Sequence, residues 1–283
     1  MSTIFANAKI NLSLAVTGRR SDGYHDLLSL NVPASLCDKI TVCEAEKDTF
    51  KTNNAALLSD NIIGKVTKYL KRYVGKNFSI ELEKNIPIMS GFGGGSSDAA
   101  TVLKFFNERY GLDFSEEKLR NIALLFGADC PFFIKNRPAI VSGTGEKISE
   151  IGGNFHKNLA KYHILLFKPN FGVSTKEAYR KLQSKPALYM PKTQAIVLLD
   201  QLISSVNNFE PNLPLFNTFS TIVFDERREL ASLHGALPCP MMLSGSGSGC
   251  FCAFQDSDLE TEITRIIKSN LGGDVFIKKC NIP

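Results

Sequence analysis

Apolar residues recur along this chain with two periods, one strand-like and one helix-like, in short alternating stretches. Ala8, Ile10, Leu12 and Leu14 stand two apart and predict one face of a strand, with Lys9, Asn11 and Ser13 on the other. Phe78–Leu82, His163–Phe167, Phe251–Phe254 and Val275–Lys279 predict further strands. Ile62, Ile63, Val66, Tyr69, Leu70 and Tyr73 form one helical stripe, so a helix is expected over Asn61–Val74 with Asp60 as its cap. Ala99, Val102, Leu103 and Phe106 predict a helix over Asp98–Tyr110. Ser115 opens another, with Glu116 and Glu117 in its first turn and Gly127 at its end. Ser174 and Glu177 form a capping box for a helix through Leu182. Residues 193–206 and 258–270 give two more amphipathic helices. Gly152–Gly153, followed by the polar run Asn154–Lys161, marks a boundary between residues 1–152 and 153–283. The expected fold is α+β, with two lobes and a groove between them in which a two-substrate enzyme would place its chemistry.

Residues 86–100 read IPIMSGFGGGSSDAA. Gly91, Gly93, Gly94 and Gly95 precede the hydroxyls of Ser96 and Ser97, and the stretch lies between a predicted strand and a predicted helix. Glycines let backbone N–H groups approach an anion closely, and the helix adds its positive N-terminal end. The combination is a phosphate cradle and suggests a nucleoside triphosphate. It is not a Walker A loop, which needs Gly-Lys-Ser/Thr, nor a dinucleotide fingerprint, because Ser96 stands where the third glycine belongs. A flexible Gly/Ser linker is the plain alternative. The apolar residues that continue without pause into the helix argue against it.

Composition narrows the class. At 283 residues and 43% hydrophobic, the chain suits a globular protein of two domains or one large one. A formal net charge of +5, from 33 basic and 28 acidic residues, is too mild to mark a nucleic-acid binder. The densest basic cluster, Lys65, Lys68, Lys71 and Arg72, reads as a solvated helix face. No apolar run approaches a membrane span, and Asn7, Lys9 and Asn11 interrupt the start of the chain where a signal peptide would be apolar. Seven scattered cysteines and four distant histidines offer neither a disulfide framework nor a zinc site, so a reducing cytoplasm is the expected compartment.

Three more segments carry candidate chemistry. Lys9, Asn11 and Ser13, read alone, form the solvent face of an edge strand. Asp129, in Gly127-Ala128-Asp129-Cys130-Pro131, either caps a turn or is a partly buried carboxylate in need of a partner. Ser244-Gly245-Ser246-Gly247-Ser248-Gly249 is either a second anion-facing turn or a tight bend.

Taken in order, AKINLSL at 8–14, GRRSDGYHDL at 18–27, the glycine loop, GADCPFF at 127–133 and LSGSGSGCFCAF at 243–254 resemble the GHMP-type small-molecule kinases. Within that superfamily they resemble the kinases of 4-diphosphocytidyl-2-C-methyl-D-erythritol, almost end to end. The resemblance implies a ribosomal-S5-like N-terminal lobe (1–152) carrying the ATP loop and a ferredoxin-like C-terminal lobe (153–283) contributing to the substrate groove. It implies transfer of the ATP γ-phosphoryl to the 2-hydroxyl of the methylerythritol moiety, with Mg²⁺, in non-mevalonate isoprenoid precursor synthesis. By matching motif positions, Asp129 is the expected general base and Lys9 its partner. Pro87, Ile88, Met89, Ser90, Gly91, Phe92, Gly93, Gly94, Gly95, Ser96 and Ser97 would hold ATP, with Ser97 a candidate metal ligand. Tyr24 and His25 would bind the cytidine, Tyr179 its opposite face, and Asn11 the erythritol end or diphosphate. Met89, Ser90 and Phe92 depart from the family's usual residues and put the fit of the nucleotide in question. The rival readings are a GHMP kinase for homoserine, mevalonate or a sugar, a non-catalytic GHMP-fold ligand sensor, and a nucleic-acid-binding module. The Tyr24–His25 block, retention of Lys9 and Asp129, and the lack of aromatic–basic interleaving weigh against them in turn. The expected partner is thus a small-molecule substrate, with no nucleic acid, membrane or obligate protein.

Overall fold

The computed structural model describes residues 1–283. The chain runs β1 (Ser2–Arg19), β2 (His25–Ala45), β3 (Thr49–Thr52), α1 (Ile62–Val74), β4 (Asn77–Glu83), α2 (Gly94–Arg109), α3 (Glu116–Leu124), α4 (Phe132–Lys135), β5 (Ala139–Gly143) and β6 (Lys147–Glu150). It continues with α5 (Phe155–Leu159), β7 (His163–Lys168), α6 (Thr175–Gln183), α7 (Lys192–Asn207), β8 (Phe216–Asn217), α8 (Thr218–Glu226), α9 (Arg228–Ala236), β9 (Met241–Leu243), β10 (Cys250–Phe254), α10 (Leu259–Leu271) and β11 (Phe276–Cys280). No helix is long and apolar enough to cross a membrane.

Two compact units share the chain. The first comprises Met1–Ala8, Leu36–Ile88 and Gly93–Arg137, and the second Lys9–Ser35, Met89–Phe92 and Pro138–Pro283. The expected linker at Gly152–Gly153 lies inside the second unit. β1 and β2, of 18 and 21 residues, are far longer than the short strands the patterning suggested, and each supplies residues to both units.

In the first unit, β4 pairs antiparallel with β2 from Lys39↔Glu83 to Ala45↔Asn77, and β3 adds a parallel edge. Of the stripe predicted for α1, Ile63, Val66 and Leu70 are buried, Ile62 and Tyr69 half-buried and Tyr73 exposed, whereas α2 buries Ala99, Val102, Leu103 and Phe106 as its spacing predicts. Phe106 packs edge-on against Phe78 of β4, ring centroids 4.7 Å apart. The cap of α1 is Asn61, not Asp60. Asn61 has extended backbone and its Oδ1 accepts the Gly64 N–H at 2.6 Å, whereas Asp60 pairs with Lys65 in solvent. α3 is capped by Ser115 as expected but ends at Leu124, so Gly127 lies beyond it in the following turn.

In the second unit, β5 pairs with the first part of β2 and with β6, while β8 lies parallel to β1 at Ser13↔Phe216. A separate antiparallel sheet has the order β11-β7-β10-β9. Its core joins Leu165, Phe167, Cys252 and Phe254 to Phe219, Leu233, Ile263 and Ile267 from the helices. Helices α8 and α9 escape the sequence patterning because they are short and nearly abut, separated only by Arg227.

Candidate active site

Lys9, Asn11 and Ser13 are not the solvent face of an edge strand. All three are buried, Lys9 at 2% exposure. β8 pairs with β1 only at Ser13 and Leu14, and the face opposite Ile10 and Leu12 is met by polar groups of β2 and of the turn at Gly245. Asn11 is the hub. Its Oδ1 accepts from Lys9 Nζ at 2.5 Å and from the Gly245 N–H at 2.8 Å. Its Nδ2 donates to Ser29 Oγ at 2.9 Å and Asn31 Oδ1 at 2.8 Å. Both ends of the amide are therefore engaged, which fixes its orientation and fixes the ammonium against Oδ1. Ser13 Oγ accepts the Leu30 N–H at 3.2 Å and completes this polar layer.

The turn at residues 244–249 closes on Lys9. A Cβ at Gly245 would lie 3.6 Å from Lys9 Nζ. Asn217 Nδ2 holds the turn from behind, donating to the carbonyls of Leu243 and Gly245 at 2.9 Å each. The turn also interlocks with Met89–Phe92. Ser244 Oγ donates to Gly91 O at 3.0 Å, and the Gly249 N–H donates to Ser90 O at 2.9 Å. Gly91 has φ +76°, and a Cβ there would fall 2.0 Å from Ser244 O. A Cβ at Gly249 would meet the Phe92 ring at 2.6 Å. Phe92, fully buried, thus packs beneath the loop, and its carbonyl accepts the Lys9 N–H at 2.9 Å. Ser90 is also buried, whereas Ile88 and Met89 are exposed.

A cluster of rings forms a separate part of the same unit. His25 is nearly buried, and its centroid lies 4.8 Å from Tyr179 and 5.9 Å from Tyr189. His25 Nε2 and Tyr189 Oη are 3.1 Å apart. Burial, with Arg19 nearby, holds the His25 pKa below its ordinary value, so the ring is neutral at pH 7. Tyr179 rests edge-on against Phe219. Tyr24 is not part of this cluster; its side chain is exposed on the turn held by Arg20, Asp22 and Asp26.

In the first unit, α2 begins at Gly94, four residues before the expected start at Asp98. Its cap, Gly93, has φ +72° and no side chain to satisfy the first-turn N–H groups. The Ser97 N–H donates to Gly93 O at 2.9 Å. The N–H groups of Gly94, Gly95 and Ser96 come before it, in the turn where helices lack internal partners. That is an anion site in form. Ser97 is buried, Ser96 half-buried and Gly95 exposed. Ser96 hydrogen-bonds the Cys130 thiol, whose pKa burial pushes up to about 12. Asp129 is exposed on the same turn, not partly buried, because the Cys130 side chain takes the inward position.

Sequence reasoning missed Ser29, Asn31, Asn217 and Tyr189. Ser29 and Asn31 alternate on β2 as Asn11 and Ser13 do on β1, a signal that a period-two reading of residues 25–31 would have found. Nothing local marks Asn217 or Tyr189.

The chain is similar to known proteins over most of its length. The family model for the GHMP kinases N terminal domain matches residues 61–137. A 4-diphosphocytidyl-2-C-methyl-D-erythritol kinase of Clostridium botulinum is 37% identical over 262 residues, covering 89% of this chain and 90% of the relative. One from Clostridioides difficile is 34% identical over 265 residues, covering 89% and 86%. A crystal structure of 4-(cytidine 5'-diphospho)-2C-methyl-D-erythritol kinase superposes with a TM-score of 0.79 at 27% identity, covering 99% of each chain. A homoserine kinase from Cytophaga hutchinsonii, at TM-score 0.66 and 14% identity, shares the fold. The GHMP architecture expected from the motifs is therefore the architecture found, and the chain belongs to the 4-diphosphocytidyl-2-C-methyl-D-erythritol kinase family.

Proposed function

We propose that this kinase transfers the γ-phosphoryl of ATP to the 2-hydroxyl of 4-diphosphocytidyl-2-C-methyl-D-erythritol, a step of non-mevalonate isoprenoid precursor synthesis. The observation that carries this reading is the buried Lys9 ammonium, aimed by Asn11 at the Gly245 turn. A buried cation with an oriented charge is what a developing phosphoryl oxyanion requires. The acceptor is supported by the His25–Tyr179–Tyr189 cluster. A neutral imidazole offers a donor and an acceptor to a pyrimidine edge, and flat rings offer a stacking surface.

In this reading the acceptor oxygen attacks the γ-phosphorus as the bond to the β–γ bridging oxygen breaks, and ADP departs. Asp129 takes the hydroxyl proton; its exposure leaves it open to the acceptor. Lys9 stabilises charge on the attacking oxygen and the γ-phosphate. Asn11 works through Lys9 as a positioning residue, because its own amide is saturated. Residues Pro87–Ser97 hold the nucleotide, with first-turn amides of α2 on its phosphates. The residues up to 152 then supply the ATP loop, and those from 153 onward supply the second glycine turn and Tyr179. Tyr24 covers the cytosine from the exposed side.

Mg²⁺ fits the donors present. No three His, Cys, Asp or Glu side chains converge on one point, and hydroxyls flank the phosphate-binding turn. A cation there would take most of its ligands from phosphates and water and would neutralise phosphate charge. Ser96 is open to it, whereas Ser97 would have to turn its buried hydroxyl outward. Seven free cysteines fit a reducing cytoplasm.

An ADP-release assay should show turnover with 4-diphosphocytidyl-2-C-methyl-D-erythritol and none above background with homoserine or mevalonate. Turnover of either alternative at a comparable rate refutes the acceptor. Asp129→Ala should keep ADP affinity and lose roughly 100- to 10,000-fold in kcat, the span of general-base catalysis. Activity within tenfold of the parent would remove Asp129 from that role. Tyr24→Ala should raise KM for the cytidylyl acceptor about tenfold, on the scale of one base–aromatic stack, and spare KM for ATP. An equal rise in both contradicts the stacking role.

A further inference from the structure

Two carboxylates and a lysine, all buried, meet at the base of the glycine loop. Lys84 follows the last residue of β4, Asp98 lies in the second turn of α2 and Asp38 is on β2. Their side chains are 5%, 3% and 0% exposed. Lys84 Nζ donates to Asp38 Oδ2 at 2.5 Å and to Asp98 Oδ2 at 2.7 Å. Asp38 Oδ1 accepts the N–H groups of Asn85 and Ile86 at 2.6 and 2.8 Å. Asp98 Oδ1 is buried without a partner. Burial raises the Asp98 pKa to about 8 against the pull of Lys84.

The arrangement is costly for folding alone. With Asp98 held mostly protonated near pH 7, the triad keeps one buried ion pair, Asp38–Lys84, beside a neutral acid, and buried ion pairs seldom repay their desolvation. Its position offers a reason. The chain leaves β4 at Lys84 and comes back at Asp98, 14 residues later, so the Lys84–Asp98 contact closes the glycine loop at its base. Between these points lie Gly91, Gly93, Gly94 and Gly95, and the cap of α2 has no side chain to hold its first turn. Such a segment would lose much conformational freedom on binding an anion unless something ordered it beforehand. Lys84 also lies directly under the helix start: a Cβ at Gly94 would be 2.9 Å from its Nζ and 3.0 Å from Ile86 Cγ2. Gly94 is needed for that approach.

We propose that Asp38, Lys84 and Asp98 form a clamp that preorganises the first turn of α2, making Lys84 a positioning residue for the nucleotide's phosphates. The clamp rests on the reading of the loop given above. It acts on the phosphate-binding amides and leaves the nucleoside contacts alone.

The test compares binding of ADP and adenosine to the full chain by titration calorimetry. Lys84→Met alone would leave Asp38 buried without its cation, so the charge-balanced variant is D38N/K84M, in which the amide oxygen at position 38 can still accept the Asn85 and Ile86 N–H groups and Asp98 stays protonated. This variant should lose about tenfold in ADP affinity, with adenosine affinity changed less than about twofold, at a melting temperature close to the parent's. Lys84→Arg, which keeps the cation, should hold the ADP:adenosine ratio within about threefold of the parent. Equal losses for the two ligands would reduce the triad to general stability, and an unchanged ratio in D38N/K84M would remove its role altogether. A parent chain that binds ADP no better than adenosine would overturn the phosphate-loop reading, and the clamp with it. A parent that shows the preference while D38N/K84M retains it overturns the clamp alone.

Discussion

An ammonium group taken out of water must be surrounded by acceptors and ordered dipoles, and Lys9 imposes that requirement on everything near it. At 2% exposure, its desolvation opposes folding. Asn11 answers part of the demand with Oδ1. The amide can do so because Ser29 and Asn31 fix its other end, and Gly245 N–H shares the same oxygen. The polar layer across β1 and β2 therefore has one logic: each member orients the next, ending at a charge that cannot swing away. Networks of this kind specify one arrangement when every member is satisfied and fail when one is not.

Steric constraint does for the backbone what this layer does for the side chains. Gly91 and Gly249 are sites where a methyl group would overlap neighbouring atoms of the opposing segment. Residues 89–92 and 244–249 thus fit together at backbone distance and share hydrogen bonds through Ser90, Gly91 and Ser244. The glycines here are needed for close packing as well as for anion access. Phe92, which replaces the family's usual residue, fills the space beneath that contact and does not reach the phosphate face. Met89, by contrast, stands exposed, with φ +53°.

Much of this was legible in the sequence. Periodicity and capping located α1, α2, α6, α7 and α10 and three strands of the second sheet, β7, β10 and β11, because each buries one regular face; the three-residue β9 was too short to show one. It failed where local pattern is not what decides. Alternation at Lys9, Asn11 and Ser13 correctly separated two faces but could not say that the polar one is buried, since that depends on the 244–249 turn, whose Gly245 N–H reaches Asn11 from more than 200 residues away. The same holds for Asn217 and Tyr189, whose partners are distant in sequence. Of the two readings open for Asp129, the partly buried one fails because Cys130, next to it, takes the interior position. The Asp38–Lys84–Asp98 clamp gave no signal, being three charged residues in unrelated stretches.

The central claim is that the Lys9 charge is kept for chemistry at some expense to folding. Lys9→Met tests it most directly. The variant removes the charge, keeps the aliphatic volume, and leaves Asn11 Oδ1 with its Gly245 donor. Thermal unfolding and turnover should be measured on the same preparation. The account predicts a melting temperature equal to or above the parent's, together with turnover lowered by roughly 100-fold or more, the scale of losing one oriented transition-state charge. A folded variant that keeps turnover within tenfold, or a chain that no longer folds without Lys9, would contradict it.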